Sequence, residues 1–203
     1  MNSTIGFKME NSLKNINTYL DKELNTFNIK IDGFTQFKKT NFIQQTDTCN
    51  QEEFQKKSKF LLQNMIGFVK KNNIKTTGSP FILYENGFLN KKTIIFSMCV
   101  PVVEEILTKP GSEISGGNLQ DFSAVKATLI GDYSHRKEIL KKVKKYAIKN
   151  NFIEDSSNGK YIEIYKLSIP KEQKPSKWIT EIYYPVIKKP NEVNSNEIEG
   201  TKN

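Results

Sequence analysis

Cysteine, histidine and arginine are scarce in this chain of 203 residues: two cysteines, one histidine and a single arginine among 31 basic residues. Cys49 and Cys99 stand apart with no metal-ligand spacing. That argues against a disulfide framework and against a zinc site of the usual Cys/His kinds, and no cofactor is expected. The lone histidine, His135, has no serine or cysteine partner at a spacing that suggests a triad, and it reads as a solvated first-turn residue. No run approaches the roughly 18 apolar residues needed to span a bilayer. The opening MNSTIGFKMENSLKN lacks the apolar centre of a secretory signal, so the cytoplasm is the expected compartment. The net charge of +9 invites a nucleic-acid partner, but it is carried by lysine, with Arg136 the only arginine. Forked readers of bases and phosphates lean on arginine, so direct nucleic-acid binding is not expected. The densest basic run, 136–149, has Ile139, Leu140, Val143, Tyr146 and Ala147 at helical spacing, which makes its lysines a solvated face. A hydrophobic content of 36% is low for a compact globule of this length, so part of the chain reads as tail or linker.

What is present is best seen in the segment KWITEIYYPV, 177–186. Its composition is that of a buried strand, yet it carries Glu181. A carboxylate there is costly unless it is paired, neutralised or met by a cation from outside. Alternation sets Ile179, Glu181 and Tyr183 on one face, with Trp178, Thr180, Ile182 and Tyr184 on the other. A pocket floor and an edge strand with its acid in water fit this alternation equally well.

Leu13, Ile16, Leu20 and Leu24 form a one-sided helical stripe that starts near Asn11 or Ser12 and needs a partner surface. Phe27, Ile29 and Ile31 then alternate like a strand. The rest reads as two similar passes. The first has a strand at 34–45, a helix at 51–71, the turn Asn72-Asn73, and strands at 81–85 and 93–102. The second has a strand at 122–130, a helix at 134–149, the turn Asn150-Asn151, and strands at 161–167 and 178–186. FVKKNN answers YAIKNN, and SMCVPV answers EIYYPV. Aligning Pro101 with Pro185 sets Ser97 against Glu181, Cys99 against Tyr183, and Tyr84 against Tyr165. Two strand–helix–strand–strand units about a pseudo-twofold axis make an α+β domain. Helices on one face leave the other to line a shared groove, with Phe96, Met98, Val100, Ile182 and Tyr184 towards the helices. Ser97, Cys99, Glu181 and Tyr183 are then expected in the groove.

The strings GSPFILYE, IIFSMCVPV, ATLIGDYSHRKEIL and TEIYYPV, in this order and spacing, resemble the GyrI-like small-molecule-binding domains, the effector-binding domains of bacterial transcription activators. The resemblance implies a tandem duplicated fold with a pocket between the repeats, where aromatic side chains surround a glutamate that receives hydrophobic cations. The matching glutamate is Glu181, with Tyr183 beside it, Tyr84 closing the first-repeat side and Tyr133 at the rim. Tyr165 joins this set through the internal alignment, Cys99 as a small groove-lining group, and Trp178 as either a packing residue or a ligand platform. Residues 7–34 resemble the last helix and connector of an upstream START-like (SRPBCC) domain. The implied organisation is an amino-terminal helix and connector (1–30), the GyrI-like domain (31–188) and a disordered tail (189–203). The amino-terminal helix would meet an upstream domain or a second copy of the chain. Residues 1–33 are too short for a helix-turn-helix module, which argues against direct DNA regulation.

The function this supports is binding or sensing of a small hydrophobic, cationic organic molecule around Glu181. A second reading is a hydrolase of reactive small molecules in which Glu181 activates water, although the motif shows no second catalytic group.

Overall fold

The computed structural model describes residues 2–85, 92–155, 161–168 and 171–190, with side chains from residue 6 onward. Among these, the elements run α1 (Asn2–Asn25), β1 (Asn28–Phe37), β2 (Thr40–Cys49), α2 (Phe54–Lys71), β3 (Phe81–Tyr84), β4 (Ile94–Pro101) and β5 (Ser115–Leu119). They continue with β6 (Phe122–Ile130), α3 (Arg136–Lys149), β7 (Phe152–Glu154), β8 (Tyr161–Leu167) and β9 (Ile179–Lys188). Short 3-10 turns, Tyr133–His135 and Pro175–Lys177, lead into α3 and β9. Among the described residues, no helix is long and apolar enough to cross a membrane. The tail expected over 189–203 lies, from residue 191 on, outside the described residues.

All strand pairs are antiparallel, in the order β1-β6-β9-β8-β3-β4-β2-β5, with β7 at the far end of β9. The order strand, helix, strand, strand occurs as β2-α2-β3-β4 and, with the short β7 inserted after the helix, as β6-α3-β8-β9. In each unit the last strand lies between the other two, and the units join where β3 pairs β8, with Tyr84 opposite Tyr161. This is an α+β fold.

Local chemistry explains the helices. In α2, Phe54, Leu61 and Met65 fall on one side and are buried; in α3, Ile139, Leu140, Val143 and Ala147 do the same. Each helix runs out at an asparagine pair, whose second member, Asn73 or Asn151, takes a positive φ of 52° or 57°. Asparagine tolerates that left-handed conformation better than most residues. Both helices pack on one face of the sheet, against Phe96, Met98, Val100, Ile182 and Tyr184, the residues expected there. Each fully buried aliphatic side chain in this layer contributes about 1.5–3 kcal/mol.

The opposite face is closed by the sheet itself. Only Lys38 and Lys39 separate β1 from β2, which stand near opposite ends of the strand order, so the sheet must curl until those ends meet. Phe37, Phe42, Phe81, Phe122, Cys99 and Ile162 fill the inside of the curl. Phe37 stacks on Phe122 at 4.9 Å between centroids, and Phe42 meets Phe81 edge-on at 5.4 Å. The groove expected on the helix-free face is therefore occupied by phenylalanine.

Several boundaries differ from expectation. The single strand expected at 34–45 is split at Lys38-Lys39 into two strands at distant sheet positions. The short strands β5 and β7 have too few residues to show a period. α1 begins at Asn2, well before its apolar stripe, and Leu13, Ile16 and Leu20 lie exposed along it.

Candidate functional site

Between α2 and α3, on the face that both helices cover, lies a partly open cavity of about 600 Å³. Phe54, Gln55, Ser58 and Leu62 of α2 form one wall, and Tyr133 and Arg136, at the entry to α3, form the other. Met98 of β4 and Tyr165 of β8 contribute the floor, and Trp178, Pro175 and Leu24 close one end.

The entry to α3 is tightly specified. Gly131 sits at φ +137°, and its N–H donates to the Trp178 carbonyl at 2.9 Å. A Cβ at this glycine would lie 2.5 Å from Phe27 Cβ, so no other residue fits without displacing the chain. The Asp132 carboxylate accepts the Ser134 N–H at 2.8 Å, capping the turn that carries Tyr133. Tyr133 stacks on Trp178 at 4.7 Å and meets Tyr165 edge-on at 5.2 Å. The indole N–H of Trp178 donates to the Glu172 carbonyl at 2.8 Å, which fixes the ring against the cavity. His135, expected in solvent, is buried instead. Its ring stacks on Phe27 at 3.5 Å, and Nε2–H donates to the Leu24 carbonyl at 2.9 Å, because the α1–β1 connector folds over it.

Behind Arg136 is a carboxylate that alternation alone did not single out. Glu163 of β8 is 0% exposed and accepts from Arg136 Nε at 2.6 Å, from the Tyr84 hydroxyl at 3.1 Å and from the Tyr165 hydroxyl at 3.2 Å. The guanidinium carbon lies 5.0 Å from the Phe54 ring centre and 5.8 Å from that of Tyr133. Burial works against the Arg136 cation, but the Glu163 carboxylate together with the surrounding Tyr84, Tyr165 and Tyr161 hydroxyls outweighs it and holds arginine well above its ordinary pKa. Burial, reinforced by the Glu163 charge, pushes the Tyr84 and Tyr165 hydroxyls well up, and burial raises Tyr133 to about 12. The site is a neutralised ion pair ringed by protonated tyrosines, with aromatic faces towards the opening.

Of the residues singled out in the sequence, Tyr133, Tyr165 and Trp178 come together at the cavity. Tyr84 lies behind it, bonded to Glu163. Glu181, Tyr183 and Cys99 lie on the other face of the sheet. Glu181 is there a partner for Lys126, whose ammonium donates to Oε1 at 2.7 Å with side chains 18% and 25% exposed, and the Tyr183 hydroxyl donates to Oε2 at 3.4 Å. Cys99 is fully buried, its thiol pushed well up by desolvation. A signal for Glu163 exists in YIEIY, where alternation puts it between Tyr161 and Tyr165, the same acid–tyrosine pattern as TEIYY. Among the described residues, no group of three or more His, Cys, Asp and Glu side chains is placed to hold a metal ion.

No protein-family model and no curated protein matches the chain. Solved structures do. EcmrR, in its complex with DNA, matches with a TM-score of 0.67 at 19% identity over 91% of this chain and 68% of that one. Its separate C-terminal domain matches with a TM-score of 0.65 at 17% identity over 80% of this chain and 98% of that one. SAV2435 bound to tetraphenylphosphonium gives a TM-score of 0.50 at 13% identity, over 76% and 92%. A hydrolase encoded by lin2189 from Listeria innocua gives 0.54 at 14% identity, over 78% and 93%. The chain has the GyrI-like effector-binding fold.

Proposed function

We propose that this chain binds a small hydrophobic organic molecule in the cavity between α2 and α3, as a cytoplasmic effector-binding domain. The observation that carries this reading is the aromatic wall of Tyr133, Tyr165, Trp178 and Phe54 around an opening of about 600 Å³, a volume typical of small-molecule sites. Tyr133, Tyr165 and Trp178 are the proposed ligand contacts, and Tyr84 holds the Glu163 carboxylate behind them. Such walls offer area more than directed polar contacts, which suits several ligand shapes rather than one. Ligand binding by SAV2435, which shares the fold, supports the reading. Free, buried Cys49 and Cys99 suit a reducing compartment.

Internal duplication belongs to the same proposal. Tyr84 faces Phe96 across β3–β4, and Tyr165 faces Thr180 across β8–β9. The alignment of Tyr84 with Tyr165 and of Pro101 with Pro185 satisfies both registers at once. The exposed Leu13, Ile16 and Leu20 of α1 are the proposed contact for an upstream domain or a second copy. Arg136 is buried against Glu163 and does not serve a phosphate-binding surface, so direct nucleic-acid binding gains nothing from it.

Hydrolysis has less support. Glu163 is fully buried under three donors, and Glu181 is on the other face, paired with Lys126. A general base must reach the water that it activates. The cationic ligand expected from an unpaired acid also loses ground, because the acid behind this cavity already has a cation.

The test uses the only tryptophan as reporter. Aromatic compounds added to the chain should quench or shift Trp178 fluorescence saturably and raise the melting temperature, and Tyr133→Ala should weaken this about tenfold or more. A panel of hydrophobic aromatics that leaves both signals unchanged would refute the proposal.

A further inference from the structure

The arrangement around Arg136 is the one that an acid-backed aromatic pocket would offer to a bound organic cation. A buried positive group lies between the rings of Phe54 and Tyr133, at 5.0 and 5.8 Å, and meets a fully buried carboxylate at 2.6 Å. Here the chain supplies that cation itself. Resting on the ligand-binding reading above, we infer that the cavity selects hydrophobic aromatic anions, such as aromatic carboxylates, and discriminates against organic cations.

Three features of the site point the same way. First, the Glu163 charge is already matched, so an entering cation gains no unpaired carboxylate and meets a guanidinium of like sign. Displacing Arg136 would leave a buried cation with its partner taken. Second, among the described residues, the charged side chains lining the cavity are Lys59, Arg136 and Lys137 against Asp132 alone. Asp132 is engaged in capping, with one oxygen accepting the Ser134 N–H at 2.8 Å. Third, Tyr133, Ser134, Arg136 and Lys137 at the amino-terminal end of α3 line the cavity, so the helix dipole adds positive potential near it. Glu138 of the first turn offsets this in part, but it lies beside His135 and not in the lining.

The discriminating probes are tetraphenylphosphonium and tetraphenylborate, nearly equal in size and opposite in charge, titrated into the whole chain by calorimetry at one ionic strength. Wild type should bind tetraphenylborate about tenfold or more tightly than tetraphenylphosphonium. Arg136→Met should abolish or reverse that order by exposing Glu163 to the ligand. Because Arg136→Met leaves an acid buried alone, the double variant R136M/E163Q provides a neutral pair of similar volume, and it should bind both ions with similar affinity. Equal or tighter binding of tetraphenylphosphonium by wild type overturns the anion preference and leaves the cavity reading intact. A borate preference that persists in both variants assigns it to the lysine surface and also overturns the inference. Failure of both ions to bind wild type overturns the inference together with the cavity reading.

Discussion

Replacing Glu163 by glutamine should be among the most damaging polar substitutions in this chain. The carboxylate is completely buried and takes three donors, from Arg136, Tyr84 and Tyr165. Glutamine keeps the volume but removes the charge and presents an amide N–H₂ to groups that need an acceptor. Arg136 then stays buried without its counter-charge, a situation that costs about 3–5 kcal/mol. For a domain of this size that corresponds to a fall in Tm of roughly 6–20 °C. Glu181→Gln gives the comparison, since its pair with Lys126 is partly solvated, at 18% and 25% side-chain exposure, and should cost only about 0–1 kcal/mol. Urea unfolding followed by Trp178 fluorescence and by circular dichroism gives both values from midpoints at constant m. In the double variant R136M/E163Q most of the loss should be recovered, with a coupling of about 2 kcal/mol or more across the cycle. The argument fails if Glu163→Gln costs less than about 1 kcal/mol, or if Glu181→Gln costs as much.

Other outcomes follow from the same geometry. Burial lifts the Tyr133 pKa from its ordinary value near 10 to about 12, so folding favours its neutral form. That contribution is fully present below pH 10 and is lost as pH rises through about 12, with Tyr84 and Tyr165 acting in the same direction. Urea midpoints should therefore fall steeply across that alkaline range, and the tyrosinate absorbance of these three residues should appear only with unfolding, after that of exposed residues such as Tyr19. Gly131→Ala combines an unfavourable φ of +137° with a clash at Phe27, and should cost about 2 kcal/mol or more, read from the same urea curves. Burial raises both thiols, Cys99 strongly, so neither Cys49 nor Cys99 should react with a thiol reagent in the native chain, and both should react promptly once it is unfolded.

The elements with a long clear period were the ones that the sequence revealed. β6 and β8 occupy their expected ranges, and α3 follows from Ile139, Leu140, Val143 and Ala147. The division of faces was legible too, since Phe96, Met98, Ile182 and Tyr184 all meet the helices. What alternation could not say is which face stays open. Two helices laid over a wide sheet leave room between them, whereas a curled sheet closes its own inner face, and curling is a long-range property of strand order. Glu181 and Glu163 carry the same local signature, an acid beside a tyrosine in a strand, so only tertiary structure separates them. One hint was available: the single arginine of a lysine-rich chain stands at the start of a helix, among residues otherwise suited to solvent. Lysine serves for solubility, whereas a planar fork against a buried carboxylate calls for arginine.

The docking of α1 has a mechanical consequence. Leu24 lines the cavity, and its carbonyl is gripped by His135, so the base of the helix and the wall of the cavity are one piece of structure. From that pivot the 24 residues of α1 extend about 36 Å. A tilt of about 10° at the base carries the far end through about 6 Å, several times the movement at the wall. The helix is a pointer fixed to the rim of the cavity, and its tip magnifies whatever happens there.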